Sequence, residues 1–598
     1  MSGIGGIFHL RGSKPGELAV RAMAAHHHAD SQLINGSVGL VGSDVYDDDV
    51  RVVLDGWIDD VDDLVRRAGH TTGVESASHA VAIAYRKWGI GLFDRLDGEF
   101  SVAIWEPEPR RLILARDRMG TRPLFWTRSD NGFAFATSLP ALLDLPWVDR
   151  VIARENLSEY LSFGTVHAPR TLVQDVYQVE PAHWLRIDVD ELKSRRWWRP
   201  HYAAVGTRNP RPSEVVPALQ EAVQRAVGRR LRPGLRPALY LSGGLGSTAI
   251  AAAARTMRRN LPSFTVTLSD DPHPESPFAG RIAKLLHLDH HETVVETRDV
   301  TAAFDKSALA MGQPVGAASA ILLQLLADAA GVRADVVFSG DGSEELFGGR
   351  MLNGLSRSIG AANIYSQVPN NIRRLLRTTL DRSERGKRIQ SDPCAWGLEQ
   401  GLGGTNLFGL HERRALFADK TLARDDIRTA VLTPFYTDNP TDPINAILHA
   451  WLRSRLMESA LVRTGRTTAV SGLDARYPLL DREVVSLATA LPGRAKIARG
   501  PGSLHTRWPL RSILTGVLPP PLLNRPKRSL PLLHGWLSGG GRLFMEERLV
   551  EVSEASHHLF ERRALMSLRR RVGKEPGAAQ RLWALFFLQR WIDANQMR

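Results

Sequence analysis

Two short glycine-rich segments carry the residues best suited to chemistry. Ser242-Gly243-Gly244-Leu245-Gly246-Ser247-Thr248 follows the apolar run Pro237–Leu241 and opens a stretch of helical composition. Glycines let a backbone approach an anion, and a helix N-terminus offers unpaired N–H groups at the positive end of its dipole. Serine hydroxyls add donors. The segment lacks both the Gly-Lys-Ser/Thr ending of a P-loop and the Gly-x-Gly-x-x-Gly spacing of a dinucleotide turn. Read alone, it serves as readily as a tight structural turn. The second segment, Ser339-Gly340-Asp341-Gly342-Ser343-Glu344-Glu345-Leu346-Phe347-Gly348-Gly349, places three carboxylates within five residues. Like charges so close repel one another. A bound Mg²⁺ ion, which takes carboxylate and phosphate oxygens, would offset that repulsion; a solvated acidic turn is the alternative.

The elements around these segments predict where they sit. Pro237–Leu241, Ser263–Leu268 and Ala334–Phe338 are short apolar runs that read as strands, and Thr248–Arg258 and Pro277–His287 read as the helices between them. Strands alternating with helices predict a parallel α/β sheet. In such sheets ligands bind beyond the strand C-termini, where both glycine-rich segments fall. The first 200 or so residues differ. Gly3–Leu10, Ser37–Gly42, Val50–Ile58, Phe100–Trp105, Arg111–Ala115 and Gly132–Ala136 predict stacked antiparallel sheets, with helices over Glu17–His26 and Ser76–Trp88. Trp197-Trp198-Arg199-Pro200 followed by Gly206–Pro212 reads as a linker. From about Leu355 the pattern is mostly helical. The expected domains are therefore 1–205 and 206–598.

Composition narrows the function classes. The chain has 598 residues, of which 43% are hydrophobic and 24% charged, as in a folded soluble protein. No stretch approaches the ~18 apolar residues of a membrane span, so no membrane partner is expected. The start MSGIGGIFHLRGSK has no basic region ahead of an apolar core, which argues against a secretory signal. The single cysteine, Cys394, excludes an internal disulfide or a zinc-finger framework and suits a cytoplasmic location. Lys plus Arg is 77 against 64 Asp plus Glu, a net charge of +13. Without zinc-finger spacing, an RNA-binding signature or a long basic run, nucleic acid is not the expected partner. His26-His27-His28 could suggest a metal site, but three adjacent side chains rarely converge on one ion. A partly exposed turn or helix end is expected there.

The motifs together resemble the asparagine-synthetase family. Ser242–Ser247 resembles the pyrophosphate loop Ser-Gly-Gly-x-Asp-Ser of the ATP-pyrophosphatase fold, and Ser339–Gly349 resembles that family's Ser-Gly-Glu/Asp-Gly-x-Asp-Glu-Leu-Phe-Gly-Gly signature. Glu275-Ser276-Pro277, Ala475-Arg476-Tyr477-Pro478-Leu479-Leu480-Asp481, Leu518-Pro519-Pro520 and Asn524-Arg525-Pro526-Lys527 follow in family order. Leu96–Phe100 and Ala115–Leu124 resemble its glutaminase-type domain. The resemblance implies an N-terminal glutaminase-type (Ntn) αββα sandwich and a C-terminal ATP-pyrophosphatase α/β domain. It implies that ATP and Mg²⁺ are used to turn a carboxylate into an acyl-adenylate, from which an amine displaces AMP. By position, Leu241, Ser242, Gly243, Gly244, Gly246, Ser247, Thr267, Ser339 and Gly340 would bind ATP or pyrophosphate. Glu344 would hold the metal, Asp341 would assist the attacking amine, and Lys527 would neutralise the charge on departing pyrophosphate.

The departures are as informative. The family's glutaminase nucleophile is a cysteine at residue 1 of the mature chain; here Ser2 and Gly3 stand there. Its glutamine-holding motifs are replaced by Ala25-His26-His27-His28-Ala29-Asp30, by Asp55-Gly56-Trp57-Ile58-Asp59-Asp60 and by Glu75-Ser76-Ala77-Ser78. The N-terminal domain is therefore expected to be a scaffold without glutaminase activity. In the other half, Gly246 replaces a metal-ligand aspartate, Ala317 or Ala318 stands near another acidic position, and Gly465 replaces the aspartate before Arg466. An aspartate restored at 246 is expected to be tolerated. Family members without a working glutaminase include lasso-peptide macrolactam synthetases and β-lactam synthetases; the second group usually places tyrosine where this chain has Asp341. The resemblance thus points to a lasso cyclase acting on a precursor peptide, alongside a leader peptidase and a leader-binding protein. An asparagine-synthetase-like or β-lactam-forming enzyme, or a catalytically silent scaffold, is the alternative.

Overall fold

A computed structural model of the chain describes residues 3–10, 15–27, 31–71, 73–130, 132–204, 206–269, 276–349, 352, 407–425, 431, 433, 438, 440–500, 503–525, 536–575 and 577–598. Ser2, Glu275, Cys394, Pro526 and Lys527 lie outside the described residues.

The N-terminal half is a four-layer sandwich. One antiparallel sheet contains β1 (Gly5–His9), β2 (Ser31–Asn35), β3 (Val38–Gly42), β8 (Phe125–Arg128), β9 (Gly132–Ala136) and β10 (Val176–Gln178); the other contains β4 (Asp44–Tyr46), β5 (Arg51–Ile58), β6 (Gly98–Glu106), β7 (Arg111–Arg116), β11 (His183–Ile187) and β12 (Leu192–Arg196). Strand periodicity explains the layering. On β6, Phe100, Val102 and Ile104 face the helix Ala77–Trp88, whereas Ala103 and Trp105 face the other sheet and meet Phe8, Phe133 and Phe135. Both faces are buried, so the run is apolar without alternation. The helix Glu17–His27 covers the outer face of the first sheet.

The second half is built on a parallel sheet of order β15-β14-β13-β16-β17, where β13 is Pro237–Tyr240, β14 Pro262–Leu268, β15 Asp289–Val295, β16 Val336–Phe338 and β17 Asp474–Arg476. β13 pairs with both β14 and β16, so the first glycine-rich segment leaves the middle of the sheet. Helices from Leu410 onward pack around Trp583, Phe586, Phe587 and Trp591 of the helix Ala578–Ala594. No helix among the described residues is long and apolar enough to cross a membrane.

The sheet is wider than the sequence suggests, because β15 and β17 join its edges. The helix after β13 spans Leu245–Met257 rather than Thr248–Arg258, since Gly244 already serves as its N-cap. The expected linker is partly tied down: Trp197 stacks under Arg118, whose guanidinium lies 5.3 Å from the ring, and Arg196 pairs with Asp438. His26 lies in the last turn of the helix Glu17–His27 and bonds Asp144 at 2.6 Å, as a partly exposed helix end would. His27 departs from that expectation, because it is only 2% exposed and is packed against Gly3. His28 lies outside the described residues.

Candidate active site

The loop after β13 turns its carbonyl groups away from one face. The Leu241 oxygen accepts from the Thr265 hydroxyl, the Gly243 oxygen from Arg525 Nη2 at 2.8 Å, and the Gly244 oxygen from Thr248 N–H at 3.0 Å and Thr248 Oγ1 at 2.8 Å. Leu245, Gly246 and Ser247 form the first turn of the helix, where N–H groups have no intrahelical acceptor. Gly243 has φ +68°, a conformation side chains disfavour, and a Cβ there would come 3.1 Å from Ala279 N and from Arg525 Nη2. The Ser242 and Ser247 hydroxyls stand 3.3 Å apart beside this turn. The result is a cradle of donors suited to an anion. Thr267, near the end of β14, has a buried hydroxyl with no hydrogen-bond partner among the described residues. Leu241 is buried.

The second segment leaves β16 and docks against the first through glycine. A Cβ on Gly340 would lie 2.6 Å from Ser247 N, and one on Gly246 would lie 2.6 Å from Ser343 Cβ and 2.9 Å from Gly340 O. The two loops therefore meet backbone to backbone. This overturns the expectation that aspartate at 246 would be tolerated, because the space a side chain needs is already filled.

Asp341 is fixed through one oxygen: its Oδ2 accepts from Ser339 Oγ and from Thr464 Oγ1, each at 2.8 Å. Glu344 faces Arg507 at 3.8 Å. Burial pushes the Glu345 carboxyl up to about 7, with Glu344 and Asp341 adding to the shift and Arg455 opposing it. Burial lowers the Arg463 guanidinium, while Asp341 and Glu345 pull it back up. Three arginines, Arg455, Arg463 and Arg507, thus offset the repulsion among these carboxylates. Arg455 and Arg463 come from one helical run, Pro443–Val470, whose middle stretch Trp451–Ala460 is π-helical. Such wide turns occur often at functional sites. None of Arg455, Arg463, Thr464, Arg507 or Arg525 was singled out in the sequence. Only Arg525 had a signal, its place beside Lys527.

Among the described residues no group of three His, Cys, Asp or Glu side chains is placed to hold a metal. Glu344, which faces Arg507 and lies against Gly349, is the carboxylate that would hold a Mg²⁺ ion, and the contacts of Gly246 leave no room for another beside it. An ion there would be shared between Glu344 and phosphate oxygens, and it would supply charge neutralisation to those phosphates.

The N-terminal half meets the second across a polar seam. Gly3, His27, Asp55, Arg122, Thr137, Gln313 and Arg466 line a small cavity of about 50 Å³ between them. Burial pushes the Asp55 carboxyl up, with Arg122 and Arg466 opposing. Arg122 pairs with Asp474 of β17 across the seam. Trp57, where the resembled motif has a polar glutamine-holding residue, is 3% exposed and has Arg230, Arg232 and Arg476 at 4.9, 5.0 and 4.7 Å from its ring. Gly465 lies close to Tyr477, and Ala318 is buried in the apolar core.

Residues 218–593 match the asparagine synthase family, and residues 46–198 match a glutamine amidotransferase domain. The chain is 28% identical over 540 residues to a Mycobacterium tuberculosis (strain ATCC 25618 / H37Rv) protein named "Putative asparagine synthetase (glutamine-hydrolyzing)", covering 89% of this chain and 81% of that one. It is 23% identical over 535 residues to asparagine synthetase (glutamine-hydrolyzing) 1 of Bacillus subtilis (strain 168), covering 88% and 82%. Over 513 residues it is 24% identical to asparagine synthetase (glutamine-hydrolyzing) 3 of the same organism, covering 81% and 76%.

Proposed function

Because the chain belongs to the asparagine synthase family, whose members are ATP-dependent C–N ligases, we propose that it forms an amide within a peptide, closing a macrolactam ring as a lasso-peptide cyclase does. ATP is consumed as a substrate. An Asp or Glu side-chain carboxylate of a precursor peptide attacks the α-phosphorus, and pyrophosphate leaves. The peptide's own N-terminal amine then attacks the activated carbon, AMP leaves, and the amine gives up its proton. Leu241, Ser242, Gly243, Gly244, Gly246 and Ser247 cradle pyrophosphate, with Thr267, Ser339 and Gly340 alongside the nucleotide. Asp341, held through Oδ2, receives the amine proton. Glu344 holds Mg²⁺, and Lys527 meets the charge that builds on the leaving pyrophosphate. A leader peptidase and a leader-binding protein would belong to the same pathway.

The observation that carries this reading is the union of a donor cradle beside Asp341 with an N-terminal half refitted as scaffold. Trp57 under three arginines supports the scaffold role. An amine must then come from somewhere other than glutamine, and a peptide terminus brings its own. The acid at 341 favours this over β-lactam formation, where the family places tyrosine. A second reading, a family member that has lost catalysis, is favoured by Gly246, which removes a metal carboxylate. Incubation of the purified chain with MgATP and a candidate precursor peptide separates the two. AMP release with a peptide lighter by one water supports the cyclase; intact ATP and unchanged peptide support the silent reading.

A further inference from the structure

We infer that Arg525 is a positioning residue of the adenylating site, one that holds the loop Ser242–Ser247 so that its N–H groups face phosphate. The inference rests on the reading of that loop as the pyrophosphate cradle. Arg525 Nη2 donates to Gly243 O at 2.8 Å and lies 3.4 Å from Ser242 O. The guanidinium also stacks on Phe278, 4.5 Å from the ring centroid, in the first turn of the helix Ser276–Leu285. Arg525 is itself anchored from behind. Arg511 bonds Leu523 O and donates to Asn524 Oδ1 at 2.8 Å, which fixes the turn that Arg525 follows.

A peptide unit is planar, so pinning the Gly243 carbonyl on one side turns the following Gly244 N–H to the other, where it points to the Ser242 hydroxyl of the cradle at 3.3 Å. Carbonyl oxygens aimed at an incoming phosphate would repel it. A cation that draws them back both fixes the loop and cancels their partial charge. The arrangement needs a flat, forked donor, since one face rests on an aromatic ring while one edge reaches two carbonyls. It also needs glycine at 243, because a Cβ there would approach Nη2 to 3.1 Å. Arg525 touches no reacting atom in this arrangement; it acts through the loop.

Calorimetric titration of the full-length chain with inorganic pyrophosphate, ATP and adenosine, each with Mg²⁺, tests the assignment. Hydrogen bonds from a charged donor are worth enough for Arg525→Ala to weaken pyrophosphate and ATP binding about tenfold or more. Adenosine binding should not change, because adenosine carries no phosphate. Arg525→Lys should recover less than half of the lost affinity, and Phe278→Leu should give a smaller loss of the same pattern. Unchanged pyrophosphate affinity in Arg525→Ala overturns the inference. So does an equal loss for adenosine with a lowered melting temperature, which marks a merely structural arginine. If the unaltered chain binds neither ATP nor pyrophosphate, the cradle reading itself fails, and the role of Arg525 falls with it.

Discussion

The junction of the two glycine-rich loops gives the sharpest prediction. Gly246→Ala adds one carbon, placed 2.6 Å from Ser343 Cβ, 2.8 Å from Ser343 Oγ and 2.9 Å from Gly340 O. Carbon atoms prefer about 3.5–4.0 Å, so the new contact is roughly 1 Å too close. Rotamer changes cannot relieve it, since Ser343 Cβ and the Gly340 carbonyl move only with the backbone. Overpacking of this kind costs about 1–3 kcal/mol. Replacing glycine within a helix returns about 0.5–1 kcal/mol. The net loss is about 0–2.5 kcal/mol, a fall of at most roughly 3 °C in melting temperature for a domain of this size. Activity should suffer more. Parting the loops by about 1 Å moves the cradle relative to Asp341, and misplacements of that size cost about 100-fold in rate. Gly246→Asp should be at least as damaging, because it adds a charge to the same clash. ATP–pyrophosphate exchange beside thermal melts measures both effects, and Ser343→Gly should restore part of the loss if the contact is the cause. A Gly246→Asp enzyme as active as the parent would refute the reasoning.

Glu344→Ala should abolish AMP formation while the fold persists, because it removes the carboxylate proposed to hold Mg²⁺; retained activity would displace the metal assignment. Burial pushes Glu345 up to about 7, so below that pH the folded chain keeps a proton that the unfolded chain has lost. Its contribution to stability is full below about pH 4.5 and is lost as pH rises to about 7, so the melting temperature of Glu345→Gln relative to the parent should climb between about pH 4.5 and pH 7 and then level off. A constant difference would contradict it. Lys527→Ala should slow adenylation about 100-fold or more with little change in melting, the usual loss on removing one charge partner of a transition state. Lys527→Arg should not restore the full rate, because a planar fork replaces a compact ammonium.

Much of the architecture was legible because it rests on local patterns. Apolar runs bounded by turns located β1, β5, β6, β7, β9, β13 and β14 within a residue or two, and the glycine-rich segments announced the sheet edge where they lie. β15 escaped because Asp289–Val295 (DHHETVV) lies at a sheet edge and keeps polar residues along most of its length. β17 escaped because three residues, Asp474–Arg476, carry no periodicity; pairing with β16 and the Arg122 contact define it. The site followed the same division. Loop residues were readable from composition and resemblance. Arg463 and Thr464 reach Asp341 from a segment more than 100 residues downstream, and no local pattern marks that approach. The tight meeting of Gly246 with Ser343 is likewise a contact between distant segments, so the missing aspartate could be noted in the sequence but not its lack of space.

Amide formation from a carboxylate and an amine, without glutamine, is the reaction proposed for this chain. The most direct measurement is mass spectrometry of a precursor peptide after incubation with the purified chain and MgATP, free of glutamine and ammonium, with AMP, pyrophosphate and glutamate assayed in parallel. The expected result is a peptide lighter by one water, one AMP and one pyrophosphate per ring, and no glutamate when glutamine is added afterwards. Product that forms only with glutamine, accompanied by stoichiometric glutamate, would contradict it.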